Sequence, residues 1–133
     1  MSTRANIIIK EVDLRDVKKI GFEKRVCILY HHFDGYIENG VGYDLKDKIN
    51  SLTYCKSNVM DFVNSLIKNG DYELCENIHG DIEYLYSITF AYFSDKITIT
   101  LIVQPVEYDK EYKNQTFLGS SQLAFKEFDL PNK

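Results

Sequence analysis

Hydrophobic and polar positions alternate or cluster along the chain in a few readable blocks. Residues 5–12, ANIIIKEV, form a short β-branched run bounded by charge, which predicts a strand. Residues 14–24 are weakly patterned and read as a loop or long turn. Residues 25–31, RVCILYH, are nearly continuous in apolar residues, which predicts a second, central strand paired antiparallel with the first. After the turn dipeptides Asp34-Gly35 and Asn39-Gly40, a helix should begin between Val41 and Asp44, with Leu45, Ile49 and Leu52 on one stripe. A second helix follows, with Ser57 as N-cap and Val59, Phe62, Val63, Leu66 and Ile67 on its apolar face. Gly70 is placed to end it.

The clearest period-two signal comes next. Ile82, Tyr84, Tyr86, Ile88, Phe90 and Tyr92 share one face of residues 81–93. Ile97, Ile99, Leu101 and Val103 share one face of residues 96–105, and Ser94-Asp95 joins the two runs as a hairpin that Pro105 should end. Residues 116–130 hold a further strand or a short helix, and the last three form a frayed tail. The order β-β-α-α-β-β predicts an α+β fold in a single domain spanning 1–133, with an antiparallel sheet of four to five strands and two helices packed on one face.

Composition narrows the functional classes. At 133 residues the chain buries enough surface to fold without disulfides or metal. The formal charge of −4, with acidic residues and lysines interspersed, reads as a solvated surface and argues against nonspecific nucleic-acid binding. Cys27, Cys55 and Cys75 are odd in number and form no CxxC, so they read as reduced, mostly buried thiols. No apolar run reaches the ~20 residues of a membrane helix, and MSTRANIIIK lacks a signal-peptide core. The expected location is therefore cytoplasmic, and the sequon at Asn114–Thr116 carries no weight there.

Candidate chemistry gathers in residues 30–36, YHHFDGY. His32-Phe33-Asp34 and a second His-x-Asp at His79-Gly80-Asp81 hint at a four-ligand metal site, but the spacing matches no compact metal motif. The plainer reading is a turn in which Asp34 bonds backbone amides and starts the helix while Gly35 supplies a positive φ. Cys27 with His31 or His32 is a conceivable nucleophile and base, yet Cys27 lies inside an apolar strand, where a neutral thiol is the commoner outcome. Glycines before the first helix are a weak anion signal, opposed by Glu38 and Asp44. The tyrosines say more. Tyr30, Tyr36 and Tyr43 flank the turn and suit a binding surface, whereas Tyr84 and Tyr86 are expected to pack the sheet against the helices. No cofactor motif is present, and neither cofactor nor metal is expected.

Ser2-Thr3-Arg4 near the start, followed by Tyr30, His32, Phe33, Asp34, Gly35 and Tyr36, resembles a set of small phage, prophage and bacterial proteins. Their pattern is M-[GS]-T-R, then Y-x-[HQ]-[FW]-D-[GS]-Y and usually a proline, where this chain has Ile37. The resemblance covers roughly the first 50 residues and implies an intracellular, often phage-linked protein without supplying a reaction. It also raises a geometric expectation: Arg4 and Asp34 should form an ion pair that presents His32 and Tyr36.

The lead expectation is a non-enzymatic phage or mobile-element binding protein, built on Arg4, Tyr30, His32, Asp34 and Tyr36. It would act on a host or defence-system protein, or hold a small ligand such as a nucleotide, in host takeover or counter-defence. A homodimer through the 81–103 hairpin is expected with it. The alternative is a metal-dependent or His-based hydrolase of a phosphate ester or nucleotide, with His32 as general base and Asp34 orienting it. A nucleic-acid binder that stacks bases on Tyr30 and Tyr36 is weaker, because the chain is acidic.

Overall fold

The computed structural model describes residues 3–15, 23–53, 58–68, 70–111 and 113–129. Strands β1 (Ala5–Asp13) and β2 (Glu23–His31) come first, then helices α1 (Val41–Asn50) and α2 (Val59–Ile67). Strands β3 (Glu73–Cys75), β4 (Tyr84–Tyr92), β5 (Lys96–Tyr108), β6 (Gln115–Phe117) and β7 (Ser121–Asp129) complete the chain. The fold is α+β, with a mixed sheet of seven strands rather than an antiparallel one of four or five. Its order is β3-β2-β1-β4-β5-β6, with β7 also pairing β5.

The β1–β2 pair and the β4–β5 hairpin are antiparallel, as the sequence predicts. The difference lies between them. β1 pairs β4 in parallel, with Ala5 opposite Tyr84 and Asp13 opposite Tyr92. Residues 32–83 therefore form a crossover that carries both helices. β2 lies between β3 and β1, as the sequence predicts for a central strand, and both strands are buried on both faces: Ile7, Ile8 and Ile9 of β1 and Ile28, Leu29 and Tyr30 of β2 are all at most 5% exposed. The uninterrupted Ile run is the sequence signature of that position.

Both helices cover one face. Val41, Leu45 and Ile49 of α1, and Val59, Phe62, Val63 and Leu66 of α2, meet Ile7, Ile9, Leu29, Tyr86, Ile88, Phe90, Ile99, Leu101 and Val103 in one core. Tyr86 is fully buried there and Tyr84 partly so, which bears out their packing role. A smaller cluster of Ile8, Ile28, Tyr30, Ile82 and Leu85 lies on the opposite face.

Several boundaries move for local reasons. Asn58 caps α2, its side chain accepting the N–H groups of Met60 and Asp61 at 2.8 and 3.3 Å, while Ser57 and Cys55 lie outside the described residues. Gly70 takes φ +81° after the helix. β4 begins at Tyr84 because Ile82 turns to the smaller cluster. β5 runs through Pro105 to Tyr108: its outer partner changes from β7 to β6 around that point, and Pro105 needs only its carbonyl, which accepts Leu118 N–H at 2.9 Å. β7 resolves residues 121–129 as a strand, and it flanks β5. Both strands of the hairpin are thereby paired on each side, so neither offers a free edge for a second copy. Among the described residues no helix is long and apolar enough to cross a membrane.

Candidate functional site

The 30–36 stretch is where β2 ends and the chain turns into α1. Successive strand residues point to opposite faces, so this short stretch serves two different surfaces. Tyr30 and His32 lie on the face away from the helices, with their rings edge to face at 4.5 Å. His31 lies on the helix face, edge to face with Tyr72 at 4.8 Å and with Phe33 at 5.1 Å.

The turn is tied at both ends. Gly35 N–H donates to Thr3 O at 2.9 Å, and the buried Tyr86 hydroxyl donates to Gly35 O at 2.7 Å. Val41, Gly42 and Tyr43 N–H donate to the carbonyls of Asp34, Tyr36 and Ile37 at 2.8, 3.1 and 2.8 Å. The positive φ falls at Asp34 (+54°) and Asn39 (+58°), not at Gly35. Both side chains tolerate that region. Gly35 is needed for space instead: a Cβ there would sit 3.0 Å from Arg4 C and Thr3 O. The α1 N-cap is Gly40, without a side-chain cap bond, so Asp34 starts the helix through its backbone carbonyl and not its carboxylate. Because the preceding loop takes up these first amides, the helix terminus is not open to an anion.

On the helix side, His31, Phe33, Asp34, Asp44, Asp71 and Tyr72 line a cavity of about 250 Å³. The Tyr72 hydroxyl donates to Asp44 Oδ2 at 2.7 Å, and Lys48 Nζ donates to Asp44 Oδ1 at 2.9 Å. Burial first, then the hydrogen bond to Asp44, pushes the Tyr72 phenol far above its ordinary range. His31 is 7% exposed, and its Nδ1 has no hydrogen-bond partner among the described residues.

On the opposite face a polar network surrounds Asp81. Arg4 Nε lies 3.3 Å from Asp81 Oδ2, and the Tyr30 hydroxyl donates to the same carboxylate at 3.0 and 3.1 Å. The His79 ring stacks on Tyr30 at 3.8 Å, with its Nδ1 4.0 Å from Asp81. Burial, reinforced by the Asp81 hydrogen bond, pushes Tyr30 up to about 12. His32 Nε2 bonds Glu73 Oε2 at 3.0 Å. Asn6, fully buried in the Ile run, pins this face: Nδ2 donates to Leu29 O at 2.8 Å, and Oδ1 accepts His79 N–H at 2.7 Å.

The site expected from the sequence is thus divided. Arg4, Tyr30 and His32 share one face. Asp34 belongs to the cavity on the other, and Tyr36 is exposed on the turn. Arg4 pairs with Asp81 and not with Asp34, because the parallel β1–β4 register brings residues 81–83 beside the start of β1, where Glu83 N–H donates to Arg4 O at 2.9 Å. The two His-x-Asp pairs do not converge, and among the described residues no three His, Cys, Asp or Glu side chains form a metal-sized group. Cys27 and His31 lie on the same face of β2 but four residues apart, about 13 Å along the strand. Burial pushes the Cys27 thiol up to about 11, away from the nucleophilic thiolate. Sequence reasoning missed Asn6, Asp71, Tyr72 and Glu73. Only Asn6 left a signal, as a lone amide inside an apolar strand.

Family models, curated proteins and solved structures were each compared with the chain, and none matches.

Proposed function

We propose that the chain is a non-enzymatic binding protein of phage or mobile-element type, which engages a host or defence-system protein in the cytoplasm through an aromatic tip. Phe33 and Tyr36 are each 48% exposed and Tyr43 is 41% exposed, all within one short segment. That cluster is the observation that carries the reading. Aromatic side chains dominate the energetics of protein interfaces, and they do so best on a backbone already held in place. The four backbone bonds of the Gly35, Val41, Gly42 and Tyr43 amides and the Tyr86 bond supply that rigidity. The phage-type resemblance of Ser2-Thr3-Arg4 and Tyr30–Tyr36 supports the same reading.

The hydrolase alternative draws no support from this geometry. His32 is engaged by Glu73, and Asp34 lines the cavity on the other side of the sheet. For a homodimer the favoured contact is β7, which pairs only β5 among the described strands and carries Phe125, 50% exposed.

Native mass spectrometry of the protein purified from host cells tests the proposal. A second polypeptide at fixed stoichiometry, released on denaturation, is the expected result. A bare chain or homo-oligomer from every candidate host, together with turnover of a phosphate ester, would overturn it.

A further inference from the structure

We propose that the cavity at the end of β2 binds an organic cation, an alkylguanidinium or alkylammonium group. The charge around it is one-sided. Among the described residues, Asp34, Asp44 and Asp71 line it against Lys48 as the sole lysine or arginine. Asp44 is already answered by Lys48 and by the Tyr72 hydroxyl. The carboxylates of Asp34 and Asp71 have no hydrogen-bond or ion-pair partner among the described residues, and both residues are exposed.

A second observation is independent of the carboxylates. His31 is 7% exposed, its ring meets those of Phe33 and Tyr72, both of which also line the cavity, and its Nδ1 has no partner among the described residues. Buried polar atoms are normally bonded, and no described residue supplies that bond. A ligand rich in N–H donors meets that need and the two exposed carboxylates together. The half-exposed ring of Phe33 offers a face for a cation.

An anion fits poorly. The amides of Val41, Gly42 and Tyr43, which would otherwise cradle it, are spent on the carbonyls of Asp34, Tyr36 and Ile37. The volume, about 250 Å³, lies below the range for drug-sized ligands and suits one charged group with a short stem.

The test is an NMR titration of the full chain with n-propylguanidinium and n-butylammonium, with propionate and inorganic phosphate as controls. The cations should give saturable shifts at the His31 ring and the Gly40 amide, and the anions should not. Asp34→Asn with Asp71→Asn should weaken the cations about tenfold or more. Lys48→Met, which frees Asp44, should tighten them several-fold; an anion site would respond in the opposite sense. Tight binding of the free probes assigns a small amine or guanidine as ligand. Weak probe binding with at least tenfold tighter binding of an arginine- or lysine-bearing peptide assigns a basic side chain. No saturable shift from probes or peptides, equal response to anions, or weakening by Lys48→Met would each overturn the proposal. None of these outcomes depends on the aromatic tip having a partner.

Discussion

The Tyr86 hydroxyl donates to the carbonyl of Gly35 at 2.7 Å, in the core and across 51 residues of chain. This bond joins the first part of β4 to the turn that displays Phe33, Tyr36 and Tyr43. Tyr86→Phe removes the donor and leaves a buried carbonyl unanswered. The expected loss is about 1–2 kcal/mol, read from urea unfolding, with faster amide exchange at residues 34–43. An unchanged midpoint would mean that the turn is held by its backbone bonds alone.

Gly40→Ala should be far more damaging than its small size suggests. A Cβ at Gly40 would lie 2.2 Å from Asp34 O and 2.7 Å from Tyr36 O, both backbone atoms. The turn must open to admit it, at a cost of about 2–4 kcal/mol. Gly80→Ala is the control, because nothing lies within 4 Å of a Cβ there. Thermal unfolding of the two variants side by side checks the contrast.

Asn6→Ala strips the Leu29 carbonyl and the His79 amide of their buried partner in one step. The expected destabilisation is about 2–4 kcal/mol, from two unanswered backbone groups. It should be accompanied by loosening of residues 75–81 and of the Tyr30–His79 stack. Chemical denaturation gives the first effect and histidine ring shifts the second.

Alkaline pH should unfold the protein through its buried phenols. Burial, then Asp44, raises Tyr72, while the unfolded phenol titrates near 10. Below that pH both states keep the proton, so Tyr72 adds no pH dependence. Above it the unfolded chain releases the proton and the folded one retains it, so stability falls as pH rises. Tyr72→Phe should remove up to about 1.4 kcal/mol per pH unit of that slope. Urea midpoints at successive pH values from 9 to 11 measure the difference, with Tyr30, Tyr86, Tyr92, Cys27 and Cys75, all raised by burial, contributing to the slope that remains.

Legibility followed the range of the interactions. The β4–β5 hairpin, the apolar stripes of α1 and α2, and the β1–β2 pair rest on local periodicity, and the sequence yields them. The parallel β1–β4 register does not, because it joins segments about 80 residues apart through a crossover with no local marker. That single relation decides the partner of Arg4. The 30–36 stretch was legible as a place and not as an arrangement: strand alternation sends His31 and His32 to opposite faces, and the polar groups that receive them, Tyr72 and Glu73, sit side by side in a segment with little pattern of its own. The positive φ at Asp34 and the crowding at Gly35 reverse the expected roles of two adjacent turn residues, since close approach to Thr3 and Arg4 appears only once the strands are paired.

The central claim is that the exposed tip of Phe33, Tyr36 and Tyr43 is the working surface. Affinity capture from host lysate, run in parallel on the wild type, on Phe33→Ser with Tyr36→Ser, and on Phe125→Ser as a surface control on β7, tests it most directly. The account predicts one stoichiometric protein retained by the wild type and by the Phe125 variant, and lost from the tip variant although that variant remains folded. Equal retention by all three, or loss from the Phe125 variant alone, would contradict it.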